Sequence, residues 1–266
     1  MDTVYPKGKG YNGTITSNVS GNTTSTNLTN LTNNGTLQAT DGAGFTFNTA
    51  NRPVNTGVVR VGVGGTITLN AGMSQTGAAS ETNVNGTLSV AAGQTLALQG
   101  GLLDGAGTIT GAVNNAGGIL SPGNSPGRLT ENGNYTQGAG GFMRIELGGT
   151  TAGLYDVFDV NGTAALAGTL QVSLFGGFAP MVGQTFTFLE YDGRTGAFTS
   201  PVSSLDAGYG YDVTYNATNA FLTVTSVAVV PEPGTLTLVG AGFVLGGAFR
   251  RRRQTRAGIP RRRSAA

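Results

Sequence analysis

A glycine-led triplet recurs along the first half of the chain at almost constant spacing. It reads Gly13-Thr14-Ile15, Gly35-Thr36-Leu37, Gly65-Thr66-Ile67, Gly86-Thr87-Leu88 and Gly107-Thr108-Ile109, with a weaker copy at Gly127-Arg128-Leu129. Only the step from Gly35 to Gly65 breaks the rhythm. The other steps are close to about 21 residues, in the range of stacked repeat architectures, where each unit buries its apolar face only against its neighbours.

Within a unit the apolar residues alternate. Leu88 and Val90 face one way, as do Leu96 and Leu98 beyond the Ala92-Gly93 turn, while Thr87, Ser89, Thr95 and Ala97 take the other face. No unit is long enough to hold a helix between its strands, which excludes βαβ crossovers. The pattern predicts an all-β fold: a right-handed parallel β-helix whose coils stack at about 4.8 Å and fill one continuous core. Gly and Asn would take the corners. Asn33-Asn34-Gly35 and Asn114-Asn115 read as corners where amide side chains stack between coils. An Asn-Gly hairpin sandwich is the competing fold, but hairpins need no constant period. The repeats are assigned to residues 1–149, with 150–229 as terminal coils or a β cap carrying longer strands and more aromatics.

Composition agrees with strands and tight turns. Gly accounts for 46 of 266 residues, Asn for 21, and only 11% are charged. The net charge of +2 hides a division along the chain: residues 1–229 hold 7 Lys or Arg against 12 Asp or Glu, and the other 8 basic residues all lie between Arg250 and Arg263. The body therefore offers no basic stripe for nucleic acid. With no Cys and no His, only oxygen ligands remain for a metal, and neither a cofactor nor a metal site is expected. The N-terminus, MDTVYPKGKGYNG, lacks the basic-then-apolar form of a secretory signal; an upstream start would reconcile this with export.

The carboxylates bear on chemistry, because glycoside hydrolysis needs two of them about 5–9 Å apart across a cleft. Glu146, Asp156 and Asp159 are the densest group, with Arg144 close by. Strand parity sends Asp156 and Asp159 to opposite faces. It puts Asp156 with Phe158 and Val160 as a buried structural carboxylate, and pairs Glu146 with Arg144 on the surface. No catalytic residue is assigned, and a polysaccharide-degrading enzyme on the same scaffold is the alternative. Ten Asn-x-Ser/Thr sequons are present, several of them, such as Asn34, at predicted corners.

The C-terminal segment has three parts in order. Val230-Pro231-Glu232-Pro233 is followed by the uncharged run 235–249 and then by Arg250, Arg251, Arg252 and Arg253. The prolines hold an extended backbone outside the apolar run. A helix of this length rises about 22 Å, short of a roughly 30 Å hydrocarbon core, a mismatch that bilayer thinning and arginine snorkelling accommodate. The arginines would stay cytoplasmic. A single short transmembrane helix is therefore expected at 235–249, with Gly242 and Gly246 at helix-packing spacing and a basic, disordered tail at 254–266.

Two resemblances follow from these residues. The 230–253 segment resembles the PEP-CTERM sorting domain, which implies an exosortase-type membrane protease as partner, cleavage near Pro231-Glu232-Pro233, and transient inner-membrane anchoring before release to the cell surface or extracellular matrix. Residues 120–127, 133–135, 155–162 and 166–170 are similar to the passenger-like β-strand repeats of autotransporter-associated proteins. That likeness implies a secreted β-helical stalk with an adhesive or matrix role and identifies no ligand. Extracellular polysaccharide is a separate candidate partner, expected of a surface or matrix protein.

Overall fold

The computed structural model describes residues 14–17, 23–199 and 202–227. The chain divides into two compact units, 1–227 and 228–266, and every described residue belongs to the first. That unit is all β. Short parallel strands stack coil upon coil into three faces, the arrangement of a β-helical solenoid.

One coil shows how the sequence makes three faces. Strand Glu81–Val84 lies on the first face, Thr87–Val90 on the second and Thr95–Leu98 on the third. The next coil supplies Leu102–Gly105, Thr108–Thr110 and Ala112–Asn115. Thr87 pairs in parallel with Thr66 before it and Thr108 after it, one sequence period in each direction. Alternate residues point inward, so Leu88 and Val90 are buried while Thr87 and Ser89 stay half-exposed.

The broken rhythm of the triplets has a physical explanation. Gly35-Thr36-Leu37 opens a first-face strand, and Thr36 pairs directly with Val58 of the next coil. Gly65-Thr66-Ile67 opens the second-face strand of that next coil. The long interval is thus one coil plus one step between faces, and the coil itself keeps its length. The first glycine is required by close approach rather than by dihedral. A Cβ on Gly86 would sit 2.3 Å from the carbonyl oxygen of Gly65, and one on Gly107 2.3 Å from that of Gly86.

The weak copy at Gly127 is out of register. Thr108 pairs with Thr130 and Ile109 with Glu131, so the inward column Ile67, Leu88, Ile109 continues into a carboxylate. Beyond it the coils widen. Val157–Leu166 and Thr185–Gly196 each span the second and third faces in one strand. Among the named strands the pairing turns antiparallel only at the end, where Asn219–Ser226 joins Thr185–Gly196 to Gly210–Tyr215 and covers the last coil. The first of the two long strands begins at Val157, after Asp156, whose carboxylate is held by backbone N–H groups of Gly127 and Glu146.

Buried amides turn the corner from the third face to the first. Asn33, Asn55 and Gln75 stand in one column, as do Asn115 and Gln137, with Leu98 between the two sets. Each amide donates to the carbonyl of a residue that opens a first-face strand: Asn33 to Val58 at 2.9 Å, Asn55 to Glu81 at 3.1 Å and Gln75 to Leu102 at 2.9 Å. Asn115 does the same to Phe142 at 3.0 Å, and Gln137 to Thr169 at 3.3 Å. Asn33 also donates to the Asn55 Oδ1 at 2.8 Å. The expected stacking at Asn33 and Asn115 is therefore present inside the corner, while Asn34 faces outward and accepts from Thr56.

Removing one rung strands several buried partners at once, at about 1–3 kcal/mol for each unsatisfied group. Asn55→Ala should lower stability by at least that amount in a urea titration. Asn70→Ala, which removes an exposed amide bonded to Asn48, should cost under about 0.5 kcal/mol.

Candidate functional site

The three carboxylates singled out from the sequence do not converge. Glu146 is half-buried on the outer side of strand Phe142–Leu147, whereas Asp156 is buried. Asp159 lies outward on the second face. The expected Arg144–Glu146 pair does not form. Arg144 donates instead to Gln171 one coil further on, at 3.3 Å, because the stacked strands bring Arg144 and Gln171 into direct register.

Asp156 is the structural carboxylate that parity predicted. Its Oδ1 accepts the Gly127 N–H and its Oδ2 the Glu146 N–H, both at 2.9 Å. It thereby ties the Pro-Gly-rich turn that ends at Gly127 to the first-face strand Phe142–Leu147. Burial pushes its carboxyl up to about 7 against the opposing pull of the two N–H donors. Asp156→Asn would turn an amide N–H₂ toward a backbone N–H, a donor against a donor. We expect a loss of about 1–3 kcal/mol by chemical denaturation, with the strand content intact by circular dichroism.

Glu131 is not among the carboxylates singled out from the sequence, although it shares strand parity with Leu129. It lies fully buried in the inward column that Leu88 and Ile109 occupy in earlier coils, and neither carboxylate oxygen has a hydrogen-bond partner. Desolvation pushes its carboxyl up to about 9. A raised folded-state value means that the stabilising contribution is complete below the unfolded value of 4.5 and is lost as pH rises to about 9. Asp156 acts in the same direction, but only up to about 7. Glu131→Gln should therefore gain on the parent protein steadily between pH 7 and 9, read as the shift in urea midpoint. An unchanged difference across that window would show that Glu131 is already ionised in the folded state.

A recess lies elsewhere, on the outer side of the second face near the capped end. It encloses about 400 Å³ and is lined by Arg128, Tyr155, Thr187, Glu190 and Asn219, with Ala152 and Gly153 at its rim. Arg128 forms a fork with Glu190, at 2.8 and 3.0 Å, and also meets Asp159 at 2.9 Å. Coil stacking brings these groups together: Asp159 pairs directly with Glu190, and Arg128 reaches diagonally across. The three come from three successive coils, so sequence spacing does not announce the cluster. Half-exposed ion pairs of this kind contribute little stability, under about 1 kcal/mol. A second, shallower groove of about 470 Å³ opens beside Gly100, Gly101, Gly117, Gly118 and Phe142. There Leu102 pairs directly with Ile119, an unusually short step along the chain, so this coil is recessed between longer ones.

The sorting residues Val230, Pro231, Glu232 and Pro233, the arginines Arg250 to Arg253 and the expected helix at 235–249 lie outside the described residues. Among the described residues no helix is long and apolar enough to cross a membrane. Residues 229–253 match the PEP-CTERM protein-sorting motif. The match takes in all four residues of the proline motif, the uncharged run and the first arginine cluster. No curated protein matches the chain.

Proposed function

We propose that this is a non-enzymatic structural or adhesive protein of the cell surface or extracellular matrix, built as a right-handed β-solenoid and delivered by its C-terminal sorting segment. The observation that carries this reading is the PEP-CTERM motif at 229–253, which follows a repetitive β body directly in the sequence. In this reading residues 235–249 hold the chain in the inner membrane as a short transmembrane helix, with the arginines on the cytoplasmic side. An exosortase-type protease cuts near Pro231-Glu232-Pro233 and releases the body outward. The likeness of residues 105–200 to autotransporter-associated β-strand repeats supports the stalk-like role, and extracellular polysaccharide is the proposed partner of the exposed faces.

Expression in a host with its exosortase should yield a secreted form whose C-terminus, by mass spectrometry, falls near residues 231–233. Replacement of Pro231, Glu232 and Pro233 by Ala should leave the protein in the membrane fraction. A secreted form that retains Arg250 would reject processing.

The recess at Arg128 and Glu190 favours one second reading, a polysaccharide-degrading enzyme, since it joins carboxylates and an arginine in a solvent-facing cleft. Against catalysis, both Asp159 and Glu190 accept from the same guanidinium, which leaves neither carboxylate free of a cation. We expect no turnover of polysaccharide by the full chain. Turnover abolished by Glu190→Gln, with the fold retained, would establish the enzyme reading instead.

A further inference from the structure

Among the described residues, four of the six exposed large apolar side chains, Leu154, Phe175, Met181 and Val182, lie on two uncharged turns of the C-terminal coils. The turn between strand Thr169–Leu174 and strand Thr185–Gly196 reads Phe175-Gly176-Gly177-Phe178-Ala179-Pro180-Met181-Val182-Gly183-Gln184 and contains no charged residue. Met181 is 66% exposed, Val182 59% and Phe175 42%. Leu154, from the uncharged turn one coil before, is 49% exposed, and both it and the Phe175 ring border Gly148. Scattered exposed apolar residues are ordinary; several on adjoining uncharged turns mark a contact surface.

The turn is held in place. Phe178 packs edge-on against the buried Phe186, with ring centroids 6.3 Å apart. The Gln184 side chain accepts the Met181 N–H at 3.0 Å, and the Gln184 N–H donates to the Met181 carbonyl at 3.1 Å. Met181 and Val182 are thus presented at a fixed tip, with no place for them in the core.

This tip stands beside the exit of the body. The Gly183 N–H donates to the Val224 carbonyl at 2.9 Å, and Thr185 pairs with Thr223, so the final strand runs out past Val182 toward Val227. The chain from Val227 to Thr235, where the uncharged run begins, reaches about 28 Å at most when fully extended. Residues 223–230 carry no charge either.

We propose that the turn at 175–184 is a lipid-contacting tip, and that Phe175, Met181 and Val182 enter the headgroup boundary of the bilayer while the chain is still anchored. The inference rests on the reading that residues 235–249 are held in the membrane. The tether leaves the body beside the tip, so the turn at 175–184 lies within its reach of the lipid surface. The contact steadies the body above the bilayer and is given up when cleavage frees the chain.

The absence of cysteine allows the test to use the full chain with a single label. Met181→Cys, Leu238→Cys and Val63→Cys would each carry an environment-sensitive fluorophore. Val63 is 79% exposed on an early coil, about 24 Å from the tip at five coil spacings. The proteins are reconstituted into phosphatidylethanolamine–phosphatidylglycerol vesicles containing nitroxide-labelled phosphatidylcholine. The proposal expects the label at 181 to lose intensity and shift to the blue, as the label at 238 does, while that at 63 is unaffected. Quenching at 238 without quenching at 181 overturns the lipid-contacting tip and leaves the anchor intact. Equal quenching at 63 and 181 overturns it as well, since the body would then lie along the bilayer. No quenching at 238 removes the anchor and the proposal with it.

Discussion

The structure depends on a buried amide that reaches one coil ahead. At the corner between the third and first faces, the carbonyl of each residue that opens a first-face strand lies within reach of the interior and takes a donor besides its ladder partner. An Asn or Gln side chain supplies that N–H, and its own oxygen accepts from the neighbouring rung or from a nearby backbone or hydroxyl group. Such groups are costly to bury unpaired and cooperative when fully paired. The corner can therefore be tight and dry, and the apolar columns behind it close into one core that runs from Leu37 to Val224.

That device also explains where the solenoid departs from regularity. Leu98 occupies the amide column between Gln75 and Asn115, and there the coil shortens so that Leu102 meets Ile119. Gly118 follows because a Cβ would meet the Leu98 side chain at 2.5 Å. The recess beside Phe142 is the surface consequence of this interior exchange. The column recovers at Asn115 and continues to Gln137, whose oxygen accepts from the Tyr135 hydroxyl at 2.7 Å. Tyr135 in turn packs edge-on against Phe158, where the coils begin to widen.

Widening and capping set the C-terminal end of the body apart. Strands Val157–Leu166 and Thr185–Gly196 bridge two faces, and the antiparallel pair beyond them covers the 185–190 edge of the second, which would otherwise offer unpaired backbone to another chain. The same closure fixes the direction in which strand Asn219–Ser226 runs toward Val227. A body that is regular along most of its length thus acquires one distinct end, with its ion-paired recess and exposed apolar turns.

The sequence by itself determined the class of fold and the nature of the tail. A steady period with alternating apolar residues admits few solutions other than stacked parallel coils, because each short strand must bury one face against its neighbours. The order Val-Pro-Glu-Pro, uncharged run and arginine cluster is local and linear, so it is legible without any fold. Asp156 was legible too, since parity alone sends it inward with Phe158 and Val160. Tertiary structure decided what depends on register between coils. It moved the triplet from the first face to the second without changing coil length, placed Glu131 in a column of Ile and Leu, and drew Arg144 to Gln171 rather than to Glu146. It also brought Arg128, Asp159 and Glu190 together from three coils. Side chains adjacent in a solenoid are separated along the chain by a whole turn, as short as the step from Leu102 to Ile119 or as long as that from Gln171 to Ser203, and only the stacked backbone fixes which turn that is.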